Sequence, residues 1–254
     1  MSATTDGALL SGKERERYVT ALFNRIAGPY DRLNRIISMG RDRAWRRAVL
    51  AAVDLSPGAT AADLGCGTGD FYLLLREKVG AGGRVVGIDL SPGMLDLARK
   101  KAEVADPLAP ADLRVGSAEA TGLADASVDL VTMGWVLRNV GDRAATYREI
   151  LRILKPGGTF LALDMSRPDF LPLALGSALY MRLVMPLVVA VLGGDLEAYK
   201  YLAGSTARFP KQAALADEWR AAGFRDVRTR SFMLGNIAAH FGKKGAAASE
   251  GRSR

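Results

Sequence analysis

From Thr60 onward the chain alternates short apolar, often β-branched runs with longer amphipathic stretches. Ala61–Leu64, Val85–Leu90, Leu113–Gly116, Leu130–Met133 and Phe160–Met165 read as strands. The spans near 70–79, 93–104 and 143–154 read as helices. Ser91-Pro92 marks a helix start, with proline in the first turn, and Lys155-Pro156-Gly157-Gly158 marks a helix stop and turn. Strand–helix alternation over short connections implies right-handed crossovers and a mainly parallel sheet covered on both faces. Val227–Phe232 and Ile237–Phe241 add a final antiparallel pair, for seven strands in an α/β fold. Ahead of the alternation, Lys13–Val53 is patterned as helix, with a break expected at Arg25–Asp31 around Gly28-Pro29. Residues 1–12 and 245–254 are small, polar and aperiodic and read as disordered tails. The expected organisation is one domain over 13–244, with a helical arm at 13–53 and an insertion at 170–210.

The insertion carries the chain's greasiest stretch, Phe170–Leu192. Arg182 splits it, and Pro172 and Pro186 interrupt it further. A spanning helix needs about 20 mainly apolar residues. A central arginine costs roughly 2.5–3.5 kcal/mol on insertion scales. The stretch is therefore expected not to span a membrane but to form an apolar helical lid, with ordinary buried helices as the plainer reading.

Composition narrows the chemistry. The 254 residues suit one domain with an elaborated edge, and 49% hydrophobic content supplies a sizeable core. A single cysteine, Cys66, allows no internal disulfide and fits a reducing compartment. A single histidine, His240, leaves a His/Cys zinc site almost impossible to assemble, so no metal is expected. The start lacks the apolar core of a signal peptide, so a cytoplasmic protein is expected. The net charge of +8 is concentrated: Arg41–Arg47 carries +3 and the tail from Gly242 another +3. The small remaining charge argues against a broad nucleic-acid face, and clusters of this kind suit an anionic partner such as phospholipid or RNA, although solvated helix and tail charge explains them as well.

The most informative stretch is Asp63-Leu64-Gly65-Cys66-Gly67-Thr68-Gly69-Asp70. A strand runs into a glycine turn just before a helix, so backbone N–H groups can approach a ligand closely. A nicotinamide site would space its glycines to seat a pyrophosphate on the helix N-terminus. Here Asp63 and Asp70 flank the turn and would repel one. They suit a cofactor bearing ammonium and sulfonium charges and no phosphate. Asp89 closes the second strand, where a carboxylate can accept both hydroxyls of a ribose; the alternative is a cap for the helix opening at Ser91-Pro92. Ser117 and Ala118 follow the third strand, where they would meet an adenine edge, and Gly134 follows the fourth. All converge on the carboxyl edge of the sheet, where open α/β sheets bind ligands.

Together these residues resemble the S-adenosylmethionine-dependent methyltransferases of Rossmann-like fold. Further stretches are similar to the ubiquinone/menaquinone biosynthesis C-methyltransferases: Leu22–Asn34 with Ser38-Met39-Gly40 and Trp45-Arg46, Leu137-Arg138-Asn139-Val140, Tyr199–Pro210, Ala222-Gly223-Phe224, and Gly235–His240. The resemblance covers roughly residues 18–244. The chain departs from the family's usual acidic residue or asparagine at Ser117, from Leu-Pro-Phe at Thr121-Gly122-Leu123, and from Ser-Phe-Gly at Gly134-Trp135-Val136.

The resemblance implies methyl transfer from S-adenosylmethionine to a ring carbon of a prenylated quinol. Asp63, Gly65, Gly67, Thr68, Gly69, Asp89, Ser117, Ala118 and Gly134 would hold the cofactor. Arg138 is the candidate cation for a developing phenolate, because guanidinium stays charged and aims several donors. Asn139 would orient the ring hydroxyl or an ordered water. Tyr30, placed with the catalytic residues, would close the site from the N-terminal arm with Asp31 and Asn34, Tyr201 would close it from the lid, and Trp135 would meet the substrate. Structural alternatives stand beside each: an ion pair of Arg138 with a helix acid such as Glu149, core packing for Tyr30 and Tyr201, packing or orienting for His240. The apolar lid would cover an isoprenoid tail while the basic arm rests on anionic lipid, and a homodimer is compatible with this arrangement. Two rival functions remain: a methyltransferase for another lipophilic phenol or benzoquinol, and a non-catalytic cofactor- or RNA-binding module.

Overall fold

The computed structural model describes residues 7–191 and 195–246, and every expected strand forms. These are β1 (Thr60–Leu64), β2 (Arg84–Asp89), β3 (Asp112–Val115), β4 (Val128–Gly134), β5 (Leu154–Met165), β6 (Phe224–Phe232) and β7 (Ile237–Lys244). They make one sheet in the order β3-β2-β1-β4-β5-β7-β6. The first five are parallel, and β7 runs antiparallel between β5 and β6. The helices are α1 (Gly12–Ile37), α2 (Asp42–Leu50), α3 (Asp70–Val79), α4 (Pro92–Ala105), α5 (Arg143–Ile153), α6 (Leu171–Leu179), α7 (Met185–Val191), α8 (Leu196–Arg208) and α9 (Gln212–Ala222).

Period-two alternation divides the core into two layers. Ala61, Leu130, Leu161 and Leu163 face a cluster built with Trp45 and Val49 of α2, Phe71 and Leu75 of α3 and Leu95 of α4. Ala62, Val131, Phe160 and Ala162 face Ile150 of α5 and Trp219 of α9, where the Phe160 and Trp219 rings stack 4.2 Å apart. Each fully buried leucine adds about 1.5–3 kcal/mol. Because β1 leads outward through β2 to β3 while β4 starts back on its other side, the carboxyl ends of β1 and β4 diverge. That divergence opens the crevice in which such sheets bind ligands.

Four expectations change. No break occurs at Arg25–Asp31; α1 runs through Pro29. An interior proline costs a helix about 3 kcal/mol, but tertiary contacts grip α1 on both sides of it. Leu22 and Ala27 are buried, Asn24 Oδ1 accepts from Ser91 Oγ at 2.6 Å, and Asp31 reaches Lys101 at 2.6 Å. Next, Lys155–Gly158 lies within β5 rather than between elements. α5 stops at Ile153, and the four residues form a bulge where Val128 pairs Leu154 and Leu130 already pairs Thr159. The expected disorder of residues 1–12 fails at Gly7–Leu9, a short turn whose Ala8 is buried against Val19, Leu22 and Tyr201; residues 1–6 and 247–254 lie outside the described residues.

The prolines also fail to interrupt the apolar stretch. Leu171–Val191 is one helix of 21 residues, the only one among the described residues long and apolar enough to cross a membrane by length and composition. Pro172 sits in its first turn. Pro186 follows a π-helical segment, Tyr180–Val184, where the N–H of Met185 reaches back to the carbonyl of Tyr180. That wider turn relieves the clash an interior proline makes with the carbonyl four residues earlier.

Candidate active site

Four loops at the carboxyl edge, after β1, β2, β3 and β4, enclose one cavity, and α1 lies across it. Its wall contains Asp63, Gly65, Gly67, Thr68, Asp70, Asp89, Ser117, Ala118, Gly134, Trp135, Asn139 and Tyr30, most of the residues expected at the site. Gly69, Asp31, Asn34, Arg138 and Tyr201 do not line it.

The floor is polar and incompletely satisfied. Asp63 and Thr132 are register partners on β1 and β4, and Thr132 Oγ1 donates to Asp63 Oδ1 at 2.7 Å. Asp63 is 1% exposed, yet its Oδ2 has no hydrogen-bond partner. Burial lifts its carboxyl to about 7, against the opposing pull of Thr132 and Arg46. Arg46 lies in the same wall. It is buried, bonds Asp42 at 2.8 Å, packs over the rings of Phe71 and Trp135, and leaves its Nε without a partner. A buried unpaired polar atom is costly, and two in one cavity mark a place built for a ligand.

The glycine turn has steric reasons at two positions. Gly65 has φ +66, and a Cβ there would sit 2.4 Å from Val136 Cγ2. At Gly134 a Cβ would meet the Phe71 ring at 2.7 Å. Gly134→Ala should therefore push Phe71 and the adjoining Arg46 out of place; we expect the cofactor affinity to fall at least tenfold and the melting temperature to drop by roughly 2–12 °C, measured by calorimetry and thermal unfolding. Gly69 caps α3 rather than touching the cavity.

Asp89 closes the next wall. Its Oδ2 accepts from the Gly67 N–H and its Oδ1 from the Ser91 N–H, both at 2.8 Å. The cap of α4 is Ser91, whose Oγ accepts from the Met94 N–H, so Asp89 is not the cap; Asp89 braces the turn before α4 and keeps lone pairs on the cavity side for a further donor. Burial raises its pKa despite those bonds. Asp70, in contrast, is already neutralised. Desolvation pushes its carboxyl up, but Arg46 and Lys101 outweigh this and hold it below its ordinary value. Lys101 also reaches Asp31 and Thr68, tying α1 to α4 and the glycine turn.

Several expected roles are corrected. Arg138 is not an open cation. It is 7% exposed, its Nη1 contacts Asp164 Oδ1 at 2.5 Å and the Trp135 carbonyl at 2.8 Å, and desolvation is overcome by Asp164, which raises its pKa. Nor does it pair with Glu149, which instead holds Arg152 and Thr121. Tyr201 is buried behind the wall, where its hydroxyl donates to Asn139 Oδ1 at 3.2 Å. Asn34 supports Tyr30, a hydroxyl whose pKa burial raises. His240 packs 5.8 Å from the Trp219 ring with Nε2 3.0 Å from the Gln212 carbonyl. No residue of Leu171–Val191 lines the cavity, so the expected lid does not cover it. Cys66 does line it, but burial pushes its thiol well above the ordinary range and leaves it unreactive.

Sequence reasoning missed Arg46 and Glu16. By sequence Arg46 belongs to a basic arm for membrane contact, but of that segment's arginines only Arg41, Arg43 and Arg47 are exposed. Glu16 enters from α1 and accepts from Ser117 Oγ at 2.5 Å. It brings a carboxylate to the wall where this chain has serine in place of the family's usual acid.

Known proteins with this architecture agree. The model of the ubiE/COQ5 methyltransferase family matches residues 11–244. The demethylmenaquinone methyltransferase of Symbiobacterium thermophilum is 36% identical over 92% of this chain and 95% of its own length. That of Lactiplantibacillus plantarum is 39% identical over 90% and 96%. Among solved structures, a SAM-dependent methyltransferase of Thermotoga maritima, described as a possible histamine N-methyltransferase, superposes with a TM-score of 0.65. At 20% identity, covering 89% of this chain and 99% of that one, it speaks for the fold. The sheet order, the cavity at its switch point and a match over nearly the whole sequence place this chain in the ubiE/COQ5 methyltransferase family, and it is an S-adenosylmethionine-dependent methyltransferase.

Proposed function

We propose that the enzyme methylates a ring carbon of a prenylated quinol, converting demethylmenaquinol to menaquinol. The observation that carries the cofactor half is the pair of orphaned groups, Asp63 Oδ2 and Arg46 Nε, in one cavity wall. A carboxylate oxygen and a guanidinium N–H that lack partners complement the ammonium and carboxylate of an amino acid. Asp89 complements a ribose diol, and Glu16, Ser117 and Ala118 complement an adenine edge.

When bound, S-adenosylmethionine supplies an electrophilic methyl group on a sulfonium. The chain's own residues then supply orientation and charge placement. Tyr30, Trp135 and Asn139 form the wall that would face the ring. The Tyr30 hydroxyl, kept protonated by burial, can donate to a ring oxygen as negative charge builds there. Asn139 is held by Tyr201 and by the Trp135 carbonyl, which takes its Nδ2 at 3.0 Å. Arg138, paired with Asp164, is a positioning residue that fixes this turn. The names of the relatives support a naphthoquinol as the ring.

Two measurements test this reading. Asp89→Asn should weaken S-adenosylmethionine binding about tenfold, since two hydroxyls lose a charged acceptor; an unchanged calorimetric affinity would remove Asp89 from the ribose role. Labelled methyl should pass to demethylmenaquinol at least tenfold faster than to a benzoquinol or simple phenols, and not to RNA. Preference for a phenol of the panel would reassign the substrate.

A further inference from the structure

We propose that Leu171–Val191 is a lipid-docking helix that lies in the plane of an anionic bilayer. Its leucine stripe would sit in the acyl boundary and the neighbouring arginines at the headgroups. This rests on the surface itself and goes beyond the identity of the substrate. Leu171, Leu175, Leu179, Leu183, Leu187 and Val191 recur every fourth residue and are 57–86% exposed. An apolar stripe this long has no counterpart elsewhere on the described surface, and contiguous exposed apolar area marks an interaction site.

Charge and anchoring identify the occupant as a bilayer. The helix has no acidic residue. Its buried edge, Met185 and Val189, packs on Tyr199 of α8 and on Ile37 at the end of α1. On either side of that end Arg32, Arg35, Arg41, Arg43 and Arg47 are exposed, while Asp42, the acid between them, is buried against Arg46. Ile36 and Met39 add exposed apolar surface, 41% and 66%, beside them. An apolar face with exposed arginines beside its anchored edge, and with the flanking acids Asp169, Asp195 and Glu197 each paired with a cation, fits anionic lipid. A protein partner would not require that excess of cations.

The same anchoring argues for lying flat. Fixed along one edge to α8, the helix cannot cross a bilayer without tearing away from its own domain. Arg182, near its middle, would be stranded in hydrocarbon by a crossing, whereas in the plane it reaches sideways to the headgroups.

The full chain should sediment with vesicles of phosphatidylcholine and phosphatidylglycerol in the absence of any quinol, less so as salt rises, and little with phosphatidylcholine alone. Leu175→Glu, Leu179→Glu and Leu183→Glu together should reduce partitioning on the order of a hundredfold. Being exposed, these positions should leave the melting temperature and methyl transfer to a short-tailed soluble quinol unchanged. Nitroxide labels on cysteines placed at Leu171, Leu179 and Leu187 should report one shallow depth. The proposal is overturned if the wild type ignores anionic vesicles, if the triple variant binds them as well as wild type, or if the labels run from one leaflet to the other. A variant that turns a dimer into a monomer while still binding vesicles would assign the face to a second copy of the chain instead. Loss of turnover on every quinol with vesicle binding intact would overturn the proposed substrate and leave the lipid surface standing.

Discussion

Arg138→Ala should cost the folded enzyme about 3–5 kcal/mol, because it leaves the Asp164 carboxylate buried and uncompensated. Asp164 is 4% exposed and its Oδ1 lies 2.5 Å from Arg138 Nη1. For a domain of this size the melting temperature should fall by roughly 6–20 °C. Replacing both partners with apolar residues of similar volume, Arg138→Met with Asp164→Leu, should recover much of that loss, since no charge is then stranded. Activity should fall in both variants, because the turn holding the Trp135 carbonyl and Asn139 loses its brace. An Arg138 that acted as a free cation on the ring would give the opposite pattern: alanine would lower kcat while leaving the melting temperature intact. Thermal unfolding and kcat on the same three proteins separate the two roles.

The second large effect concerns Asp63. Its carboxyl, raised to about 7 by burial, is partly protonated at neutral pH in the free enzyme, while pairing with a ligand ammonium requires the charged form. S-adenosylmethionine affinity should therefore rise as pH increases from 5.5 to 7, by about tenfold per unit at the acid end, and level above. Asp63→Asn should weaken binding on the order of a hundredfold at pH 8 and flatten that rise. Stability of the free enzyme should move the other way. A carboxyl that keeps its proton in the fold up to about 7, but releases it near 3.8 when unfolded, binds more protons in the native state between those values, so its contribution declines as pH rises through that window. Calorimetry across pH checks the first sign and chemical unfolding of the unliganded protein checks the second. Affinity that is flat below pH 7 would remove Asp63 from the ammonium site.

What the sequence made legible was local. Gly65, Gly67 and Gly69 all take positive φ, and a strand ending in such a turn before a helix announces a ligand loop. Period-two apolar runs located the strands, and Asp89 stood out because a strand end is a fixed address in this fold. What stayed hidden was carried by distant packing. Arg46 reads as one more surface charge in Arg-Asp-Arg-Ala-Trp-Arg-Arg, and only the seating of α2 beside α3 turns it under Phe71 and Trp135. Glu16 is an ordinary helix acid until α1 crosses the cavity. Arg138 and Asp164 are 26 residues apart, yet Gly134 and Leu163 are register partners on β4 and β5, so the loops leaving those strands must meet. The uninterrupted helix at Leu171–Val191 was masked by Pro186, whose cost is met by a π-helical turn that no local pattern reveals.

The central claim is transfer of a methyl group to a ring carbon, and one measurement addresses it directly. S-adenosylmethionine carrying a carbon-13 methyl group, incubated with the purified enzyme and reduced demethylmenaquinone, should yield a product whose labelled carbon resonates with aryl methyl groups and whose ring has lost one hydrogen. A labelled carbon in the methoxy region, or no transfer to the naphthoquinol while another phenol is methylated, would contradict it.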